Sequence, residues 1–182
     1  MSRIILLNGV GSVGKSSIAK ALQKITAEPF LYVAMDAFLD MMPPSLHEGP
    51  DGMVFETLLE DGKPSVAITT GPAAARVLRG MRFAIAAMAV QGNNLIVDDV
   101  MLDGDAAEYA EALSGIQVHW VGVFAPLDVL EERERARGDR DIGLARWLFD
   151  RVHVGITYDL EIDASRASAA ECAERIKHAL GL

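Results

Sequence analysis

The sequence predicts an α/β fold in which helices cover a mostly parallel sheet. Short, continuous apolar runs alternate along the chain with longer segments of helical periodicity. Runs that are apolar throughout are typical of parallel strands buried on both faces, and their alternation with helices favours right-handed strand–helix–strand units. The 182 residues suit one domain, and neither a repeat nor a low-complexity linker divides them.

Each predicted element rests on its own local pattern. The apolar runs predict strands over residues 3–8, 30–35, 94–99, 118–124 and 158–163. Helices are predicted over residues 15–27, 37–42, 72–91, 105–114, 126–137, 142–153 and 168–180. Pro72 suits the first turn of the longest helix, and Gly138 suits the end of the charged one. Residues 43–70 are rich in Gly, Pro and acids, and two β-type runs flank residues 60–64, which predicts a loop followed by a hairpin.

Composition and charge exclude several classes of protein. No apolar run approaches the ~20 residues that span a bilayer, and Asn8 with the glycines after it interrupts a segment that begins like a secretion signal. A cytoplasmic protein without a membrane partner is therefore expected. The net charge of −9 repels polyanions, which argues against nucleic acid as a partner. Cys172 is the only cysteine, so it cannot form an intramolecular disulfide and is expected to pack in a helix.

A phosphate-binding loop follows the first strand. Residues 9–16 read GVGSVGKS, which satisfies the pattern G-x-x-x-x-G-K-[ST] between a buried strand and a helix. Glycines let successive N–H groups surround an anion, Lys15 reaches the outer phosphates, and the Ser16 hydroxyl can bind Mg²⁺. An ordinary strand-to-helix turn would need only the glycines and would leave Lys15 and Ser16 unexplained.

Two acids end the strand predicted at residues 94–99. A carboxylate in this place can complete the metal site of a phosphate loop, and either Asp98 or Asp99 could serve. We favour Asp98 because it comes first after the apolar run, and we place Asp99 near the substrate or behind the metal ligands. The acid that does not serve could simply cap the turn after the strand.

The class of phosphate-loop protein is narrowed by other features. The guanine-binding pattern N-K-x-D of GTPases is missing, and a motor usually needs a longer chain. A small kinase needs an arginine-bearing lid, for which residues 133–140 have the composition, although such a run also suits a solvated helix face. Asp36 ends the second strand and can take the proton of an acceptor hydroxyl, or it can cap the next helix.

The remaining polar residues receive structural interpretations. Arg76, Arg79 and Arg82 recur at helical spacing and are read as a solvated stripe rather than an anion site. The four histidines, His47, His119, His153 and His178, lack the spacing of metal ligands.

Several segments together resemble one family. They are IILLNGVGSVGKSS, VAMDAF, Gly71-Pro72 before the long helix, LIVDDV, VHWVGVFAPLDVLEERERARGDRD and VHVGITYDLEIDAS. In this order they are similar to the chloramphenicol phosphotransferase family, small bacterial P-loop kinases that phosphorylate an alcohol on the antibiotic with ATP. The resemblance implies a three-layer nucleotide-kinase fold with a five-stranded parallel sheet in the order 2-3-1-4-5.

The resemblance also implies roles for individual residues. The ATP phosphates would lie on Gly9, Val10, Gly11, Ser12, Val13, Gly14, Lys15, Ser16 and Ser17. Asp36 would be the base for the acceptor hydroxyl, and a lid over about residues 133–142 would present Arg133, Arg137 and Arg140. Residues 43–70 look longer than in the family and lie where the acceptor should bind. Their apolar side chains and those just before them could wall the acceptor pocket or pack as ordinary core; they are Met41, Met42, Met53, Val54 and Phe55.

The expected function is an ATP- and Mg²⁺-dependent O-phosphotransferase with Ser16 and Asp98 at the metal and a small hydroxylated acceptor, chloramphenicol or a similar compound. A nucleoside or nucleotide kinase is the alternative among enzymes. A regulator that binds ATP without transferring phosphate is the alternative from another class. The oligomeric state is left open.

Overall fold

The fold is a parallel sheet covered by helices on both faces, with a separate hairpin. The computed structural model describes residues 2–47, 49–60, 62–138 and 142–182. The strands are β1 (Arg3–Asn8), β2 (Phe30–Ala34), β3 (Met53–Glu60), β4 (Lys63–Thr70), β5 (Asn94–Asp99), β6 (Gln117–Phe124) and β7 (Leu160–Asp163). The helices are α1 (Lys15–Ile25), α2 (Met35–Leu39), α3 (Pro44–His47), α4 (Pro72–Val90), α5 (Asp105–Ala112), α6 (Leu127–Arg137), α7 (Leu144–Phe149) and α8 (Ala169–Leu180).

The main sheet has five parallel strands in the order β2-β5-β1-β6-β7. When only these strands are counted along the chain, the order is 2-3-1-4-5, which confirms the order implied by the resemblance. β1 lies at the centre, so the loop that follows it opens at the middle of the carboxyl edge. Ligands of open α/β sheets bind at this edge.

Side chains of β1 alternate between two hydrophobic clusters, as the period of a strand requires. Ile5 and Leu7 pack with residues of α1 and α8 on one face, and Ile4 and Leu6 pack with α4 and α5 on the other. Both faces are therefore covered, which explains why the four central residues of β1 are all apolar. Cys172 is buried in α8, as predicted. Within the part of the chain described, no helix has both the length and the apolar character needed to cross a bilayer.

The predicted hairpin is present as the antiparallel pair β3–β4. Its base is fixed to α4, because Asp51 O accepts hydrogen bonds from Ala73 N and Ala74 N at 2.7 and 3.2 Å. Its far end is fixed to the turn before α7, where Val66 N donates to Gly143 O at 3.0 Å. Gly143 has φ 108°, and a Cβ there would lie 2.6 Å from Pro64 O, so only glycine fits this contact. The hairpin thus lies beside α6 and α7.

The boundaries of several elements differ from the prediction. α7 covers only Leu144–Phe149 of the helix predicted over 142–153, and β7 begins at Leu160 instead of residue 158. α2 begins at Met35 with Ala34 as its N-cap, so the alternative that Asp36 caps this helix is wrong. Asp36 is instead the second residue of the helix.

Candidate functional site

The loop between β1 and α1 is shaped by residues with unusual backbone requirements. A Cβ on Gly9 would lie 2.4 Å from Val123 O, so this glycine allows the loop to cross close to β6. Ser12 and Gly14 have φ of 65° and 108°. No side chain forms a cap hydrogen bond at the N-terminus of α1. The first N–H groups of a helix have no partner within the helix, and they favour a bound anion at this position.

Lys15 and Ser16 connect this loop to β5. The register of β1 and β5 places Asp98 beside Leu7, and Asp98 Oδ2 accepts a hydrogen bond from Ser16 Oγ at 2.7 Å. Lys15 Nζ lies 3.6 Å from Asp98 Oδ1 and donates to Gly9 O at 2.7 Å. Asp98, rather than Asp99, therefore lies at the loop hydroxyl, in the arrangement that the sequence favours.

Tyr32 also contacts this pair, and sequence reasoning missed it. Its hydroxyl donates to Asp98 Oδ2 at 3.0 Å, so this oxygen accepts from both Tyr32 and Ser16. Burial raises the pKa of Tyr32 to about 12, which keeps the phenol protonated and able to donate at neutral pH. An aromatic residue within an apolar strand usually packs in the core, so the sequence held no signal for this contact.

Asp99 lies deeper and belongs to a buried network with α4 and α5. Asp99 Oδ2 accepts a hydrogen bond from Tyr109 at 2.6 Å, and Arg82 lies over the Tyr109 ring at 5.1 Å. Arg82 also forms ion pairs with Asp105, at 2.5 Å, and with Glu108. The interpretation of Arg82 as part of a solvated stripe is wrong, because its side chain is buried and joins α4 to α5.

Asp99 gives the folding equilibrium a distinctive pH dependence. Burial raises the pKa of Asp99 from 3.8 to about 6. Between these pH values the folded chain keeps a proton that the unfolded chain has lost, so the free energy of unfolding falls as the pH rises. The shift corresponds to about 3 kcal/mol. In Asp99→Asn this contribution should vanish, which urea denaturation at several pH values between about 4 and 7 would measure.

The contribution of Asp99 must be separated from that of His153, because the two residues change the free energy of unfolding with pH in opposite directions. Burial and the charge of Lys15 lower the pKa of His153 to about 4, so His153 contributes stability that is lost as the pH falls below its usual value. The difference between wild type and Asp99→Asn removes this common contribution. The exposed Asp103→Asn serves as a control and should keep the wild-type pH profile. An unchanged profile in Asp99→Asn would contradict the shift.

A cleft of about 680 Å³ brings the predicted groups together at the carboxyl edge of the sheet. Its lining contains loop residues with Lys15 and Ser16, the acidic residues Asp36, Asp98 and Asp99, and two arginines of α6, Arg133 and Arg137. Asp36 and the phosphate loop thus face one space. A cleft with a cationic loop, acids and arginines has the groups that phosphoryl transfer requires.

The loop residues differ in how they meet the cleft. Those that line it are Gly11, Ser12, Gly14, Lys15, Ser16 and Ser17. Val10 and Val13 have side chains buried in the hydrophobic core, so only their backbone could contact a phosphate. Residue 10 also accepts a hydrogen bond from Lys15 Nζ through its carbonyl, at 3.2 Å.

The apolar wall expected from the sequence does not line this cleft. None of Met41, Met42, Met53, Val54 and Phe55 is among the lining residues. Met42 is buried, whereas Met41 and Phe55 are exposed. The hairpin carries Met53, Val54 and Phe55, and its attachment beside α7 explains why they lie elsewhere.

The charged helix α6 is more firmly attached than a solvated face would be. Arg133 donates to Val13 O at 3.1 Å and to Ala164 O at 2.8 Å, which joins the phosphate loop to the segment after β7. Glu134 is buried and accepts hydrogen bonds from Gly143 N at 2.8 Å and Ala145 N at 2.7 Å. Arg137 is exposed at the end of the helix and lines the cleft. The predicted residue Arg140 lies outside the described residues.

A second hydrogen-bonded group fixes the start of the phosphate loop. Asn8 is buried and donates to Val152 O and to the Tyr158 hydroxyl, each at 2.7 Å, while it accepts from Met101 N at 2.9 Å. The Tyr158 hydroxyl lies 2.7 Å from His153 Nδ1. Because His153 stays neutral at physiological pH, Nδ1 can accept this proton. The end of β1 is thereby bound to the loops that follow β5 and α7.

The polar side chains of the phosphate loop and of Asp98 fit a nucleotide phosphate with a magnesium ion. Ser12 Oγ is buried within the loop and has no hydrogen-bond partner among the described residues, as expected for a hydroxyl that donates to a bound phosphate. Within the same residues no cluster of three acids, histidines or cysteines could hold a metal alone. Magnesium commonly takes one or two protein oxygens and completes its shell with phosphate and water, which Ser16 and Asp98 would permit.

Comparison with known proteins finds relatives in sequence and in fold. The chain is 29% identical over 180 residues to the Mycobacterium tuberculosis H37Rv protein named "Putative O-phosphotransferase Rv2636", covering 96% of this chain and 80% of the relative. Its fold is similar to that of M. tuberculosis APS kinase CysC in complex with AMPPNP and APS, with TM-score 0.69, 18% identity and coverage of 100% and 98%. It is also similar to a sugar kinase from Janibacter sp. HTCC2649, with TM-score 0.68, 18% identity and coverage of 100% and 95%.

The family model described as "Chloramphenicol phosphotransferase-like protein" matches residues 2–181. The match spans the phosphate loop, the acids of β5, the helix α6 and the hairpin. The chain, a phosphotransferase of the P-loop kinase type, therefore belongs to the chloramphenicol phosphotransferase-like family.

Proposed function

We propose that the protein transfers the γ-phosphate of ATP to a hydroxyl group of a small molecule, in the presence of Mg²⁺. The observation that carries this proposal is the shared cleft, in which Asp36 faces the same space as Lys15 and the Ser16–Asp98 pair. A carboxylate outside the phosphate loop has a chemical purpose when a hydroxyl must lose its proton. The regulator alternative gives Asp36 no such purpose.

The loop would bind and orient the donor. N–H groups of residues 11–16 and the partial positive charge of the α1 N-terminus would hold the phosphates, and Ser12 Oγ would gain a hydrogen-bond acceptor. Lys15 is buried at the loop, where its ammonium group can offset charge on the outer phosphates. Bound ATP supplies the phosphoryl group, and the loop fixes the direction from which an acceptor approaches.

Ser16 and Asp98 would provide the protein ligands of the magnesium ion. Their direct hydrogen bond of 2.7 Å shows that both oxygens reach one point. Tyr32 holds Asp98 Oδ2 from another direction and so fixes the carboxylate orientation. Asp99 is held by Tyr109 in the buried network and supports the end of β5 from behind.

Asp36 and the arginines of α6 would act on the acceptor side and at the transferring group. Asp36 would accept the hydroxyl proton as the oxygen attacks phosphorus. Arg137 lines the cleft and would stabilise negative charge that develops during transfer. Arg133 is bound to Val13 O and Ala164 O, so its first effect is to position the loop. Arg140 is assigned to the same lid by family resemblance.

The acceptor is proposed to be chloramphenicol or a similar small alcohol, on the strength of the family description. Asp36, Tyr32 and Met35 on the β2–α2 side of the cleft would contact it. None of the described residues in the segment over about 43–70 contributes to this lining. If that segment affects the acceptor, it would do so through its attachment to the turn at Gly143.

The test is mass spectrometry of purified protein incubated with ATP, Mg²⁺ and a panel of alcohols headed by chloramphenicol and including nucleosides. A product 80 Da heavier than one alcohol, about the mass of a transferred phosphoryl group, is expected only when ATP is present. A product confined to nucleosides would establish the nucleoside kinase instead. ATP binding without any product across the panel would favour the regulator and count against the proposal.

Tyr32→Phe should weaken the response to magnesium while the fold is kept. Removal of the hydroxyl deletes one of two hydrogen bonds to Asp98 Oδ2, so the carboxylate becomes less well oriented. Loss of a group that orients a metal ligand typically costs about 10- to 100-fold in metal affinity or activity. We expect the Mg²⁺ concentration for half-maximal activity to rise at least about tenfold, measured at saturating ATP.

Tyr158→Phe is the matched control, because it removes a half-buried tyrosine hydroxyl that bonds to Asn8 and His153 rather than to Asp98. Its Mg²⁺ response should stay close to that of the wild type. Equal Mg²⁺ responses in Tyr32→Phe and wild type would show that Tyr32 does not orient the metal ligand.

A further inference from the structure

Strand β3 is an open, apolar edge of the hairpin. Among the described residues it pairs with β4 on one side only, and six of its eight residues are exposed. Phe55 and Leu59 are 47% and 77% exposed. Proteins usually protect such an edge with lysine, proline or a bulge, because free N–H and C=O groups there pair readily with another strand. β3 contains neither lysine nor proline, and its only charges are Glu56 and Glu60.

The direction of the free backbone groups follows from the attachment of β4. Val66 N donates to Gly143 O, so this N–H points away from β3. In an antiparallel pair, the opposite residue then also directs its N–H and C=O outward, and Thr57 lies opposite Val66. Phe55 and Leu59, two residues to either side of Thr57, have the same orientation. No backbone hydrogen bond beyond the ladder with β4 is formed by β3 within the described part of the chain.

We propose that β3 pairs antiparallel with β3 of a second copy of this chain, about a twofold axis through Thr57. The two hairpins then form one four-stranded antiparallel sheet. Thr57 lies opposite Thr57 of the partner subunit, and Phe55 lies opposite Leu59 of the partner subunit. The outward N–H and C=O groups of these residues meet as hydrogen-bonded pairs, and the exposed apolar side chains cover one another.

The charges of β3 favour one pairing register, and they favour a second copy of this chain as the partner. An axis through Glu56 would place this acid opposite itself, and an axis through Leu58 would place Glu56 opposite Glu60 of the partner subunit. Like charges directly opposite each other are destabilising. The axis through Thr57 instead places Glu56 opposite leucine and Glu60 opposite valine, and axes nearer the strand ends pair fewer residues. The strand is therefore complementary to itself in one full-length register, which favours a second copy over an unrelated peptide.

A membrane surface suits this edge less well. Glu56 and Glu60 are spaced among the apolar residues, and the net charge of −9 repels anionic lipid. No residue of β3 lines the cleft, so the pairing is independent of the proposed phosphotransfer.

The first test is the mass of the protein in solution. The chain has a mass of 19.6 kDa, and light scattering coupled to size exclusion should give twice this value for the wild type. Thr57→Lys places two ammonium groups opposite each other at the axis and should raise the dimer Kd at least tenfold. Val90→Lys is the control, since Val90 is 73% exposed at the end of α4, and it should remain dimeric. A wild type that stays monomeric up to about 100 μM, well above a micromolar Kd, would overturn the proposal. A dimer Kd of Thr57→Lys equal to that of the wild type would also overturn the proposal.

The second test measures the register. Opposite residues of a hydrogen-bonded antiparallel pair have Cα atoms about 5.5 Å apart, within the range that a disulfide can span. Thr57→Cys should therefore form a covalent dimer with oxidised glutathione as the oxidant. The native Cys172 is buried and should not compete for the oxidant. In Leu59→Cys the two thiols lie four residues apart along the paired strands, about 14 Å, and should not join. Equal yields from the two variants would indicate random collision and would exclude this register.

Discussion

Asp36→Asn should abolish most of the turnover while ATP still binds. The amide keeps the size and shape of the side chain but cannot accept the acceptor's proton at neutral pH. A positioned general base contributes about 10²- to 10⁴-fold to a rate, and kcat should fall by that factor. ATP affinity, measured by calorimetry in the presence of Mg²⁺, should change less than about twofold, since the phosphate loop and the Ser16–Asp98 pair are untouched.

Asp40→Asn provides the matched control for this substitution. Asp40 lies at the C-terminal end of the same helix, is exposed, and is not among the residues that line the cleft. Loss of its charge should leave kcat close to wild type. Loss of the acid in the first turn of α2 should cost less than about 1 kcal/mol in Asp36→Asn, so both variants should keep the wild-type unfolding midpoint within a few degrees. Normal kcat in Asp36→Asn would remove Asp36 from the role of base.

The arrangement of the main sheet could be predicted because its patterns are local and strong. The central residues of β1 and β5 are apolar, since both faces of the sheet are covered, and the glycines after β1 fix the turn into α1. The end of α7 and the start of β7 were harder to predict, because residues 150–159 form turns and irregular backbone whose contacts are distant in sequence. His153 and Tyr158 meet Phe124 and Asn8 there, and no periodicity indicates these pairings.

The candidate site was predictable where a side chain follows directly from a strand end. Asp36 and Asp98 follow apolar runs, and Lys15 and Ser16 follow the glycine-rich loop after β1, so the carboxyl edge of a parallel sheet places them in one region. Arg82 could not be assigned in this way, because its neighbours Asp105 and Glu108 come from another helix. The contact of Tyr32 could not be predicted for the same reason, since only the pairing of β2 with β5 brings its hydroxyl to Asp98.

Lys15→Ala should weaken ATP binding and remove detectable turnover. Lys15 is 6% exposed, donates to Gly9 O at 2.7 Å and lies 3.6 Å from Asp98 Oδ1. Its ammonium group therefore offsets the charge of the Asp98 carboxylate and can offset phosphate charge when the donor binds. Loss of one preorganised donor to developing charge costs about 10²- to 10³-fold in kcat, and loss of ground-state binding adds to this in kcat/KM. We expect kcat/KM for ATP to fall at least about 10³-fold in a coupled ADP-release assay.

Lys24→Ala separates this effect from a general loss of positive charge in α1. Lys24 lies on the same helix but is exposed in its last turn and does not line the cleft. Both substitutions remove one positive charge, so an effect of net charge on the binding of an anionic donor would appear in both variants. A loss confined to Lys15→Ala would assign it to the contact with the phosphates, whereas similar losses in the two variants would show that Lys15 acts only through the overall field.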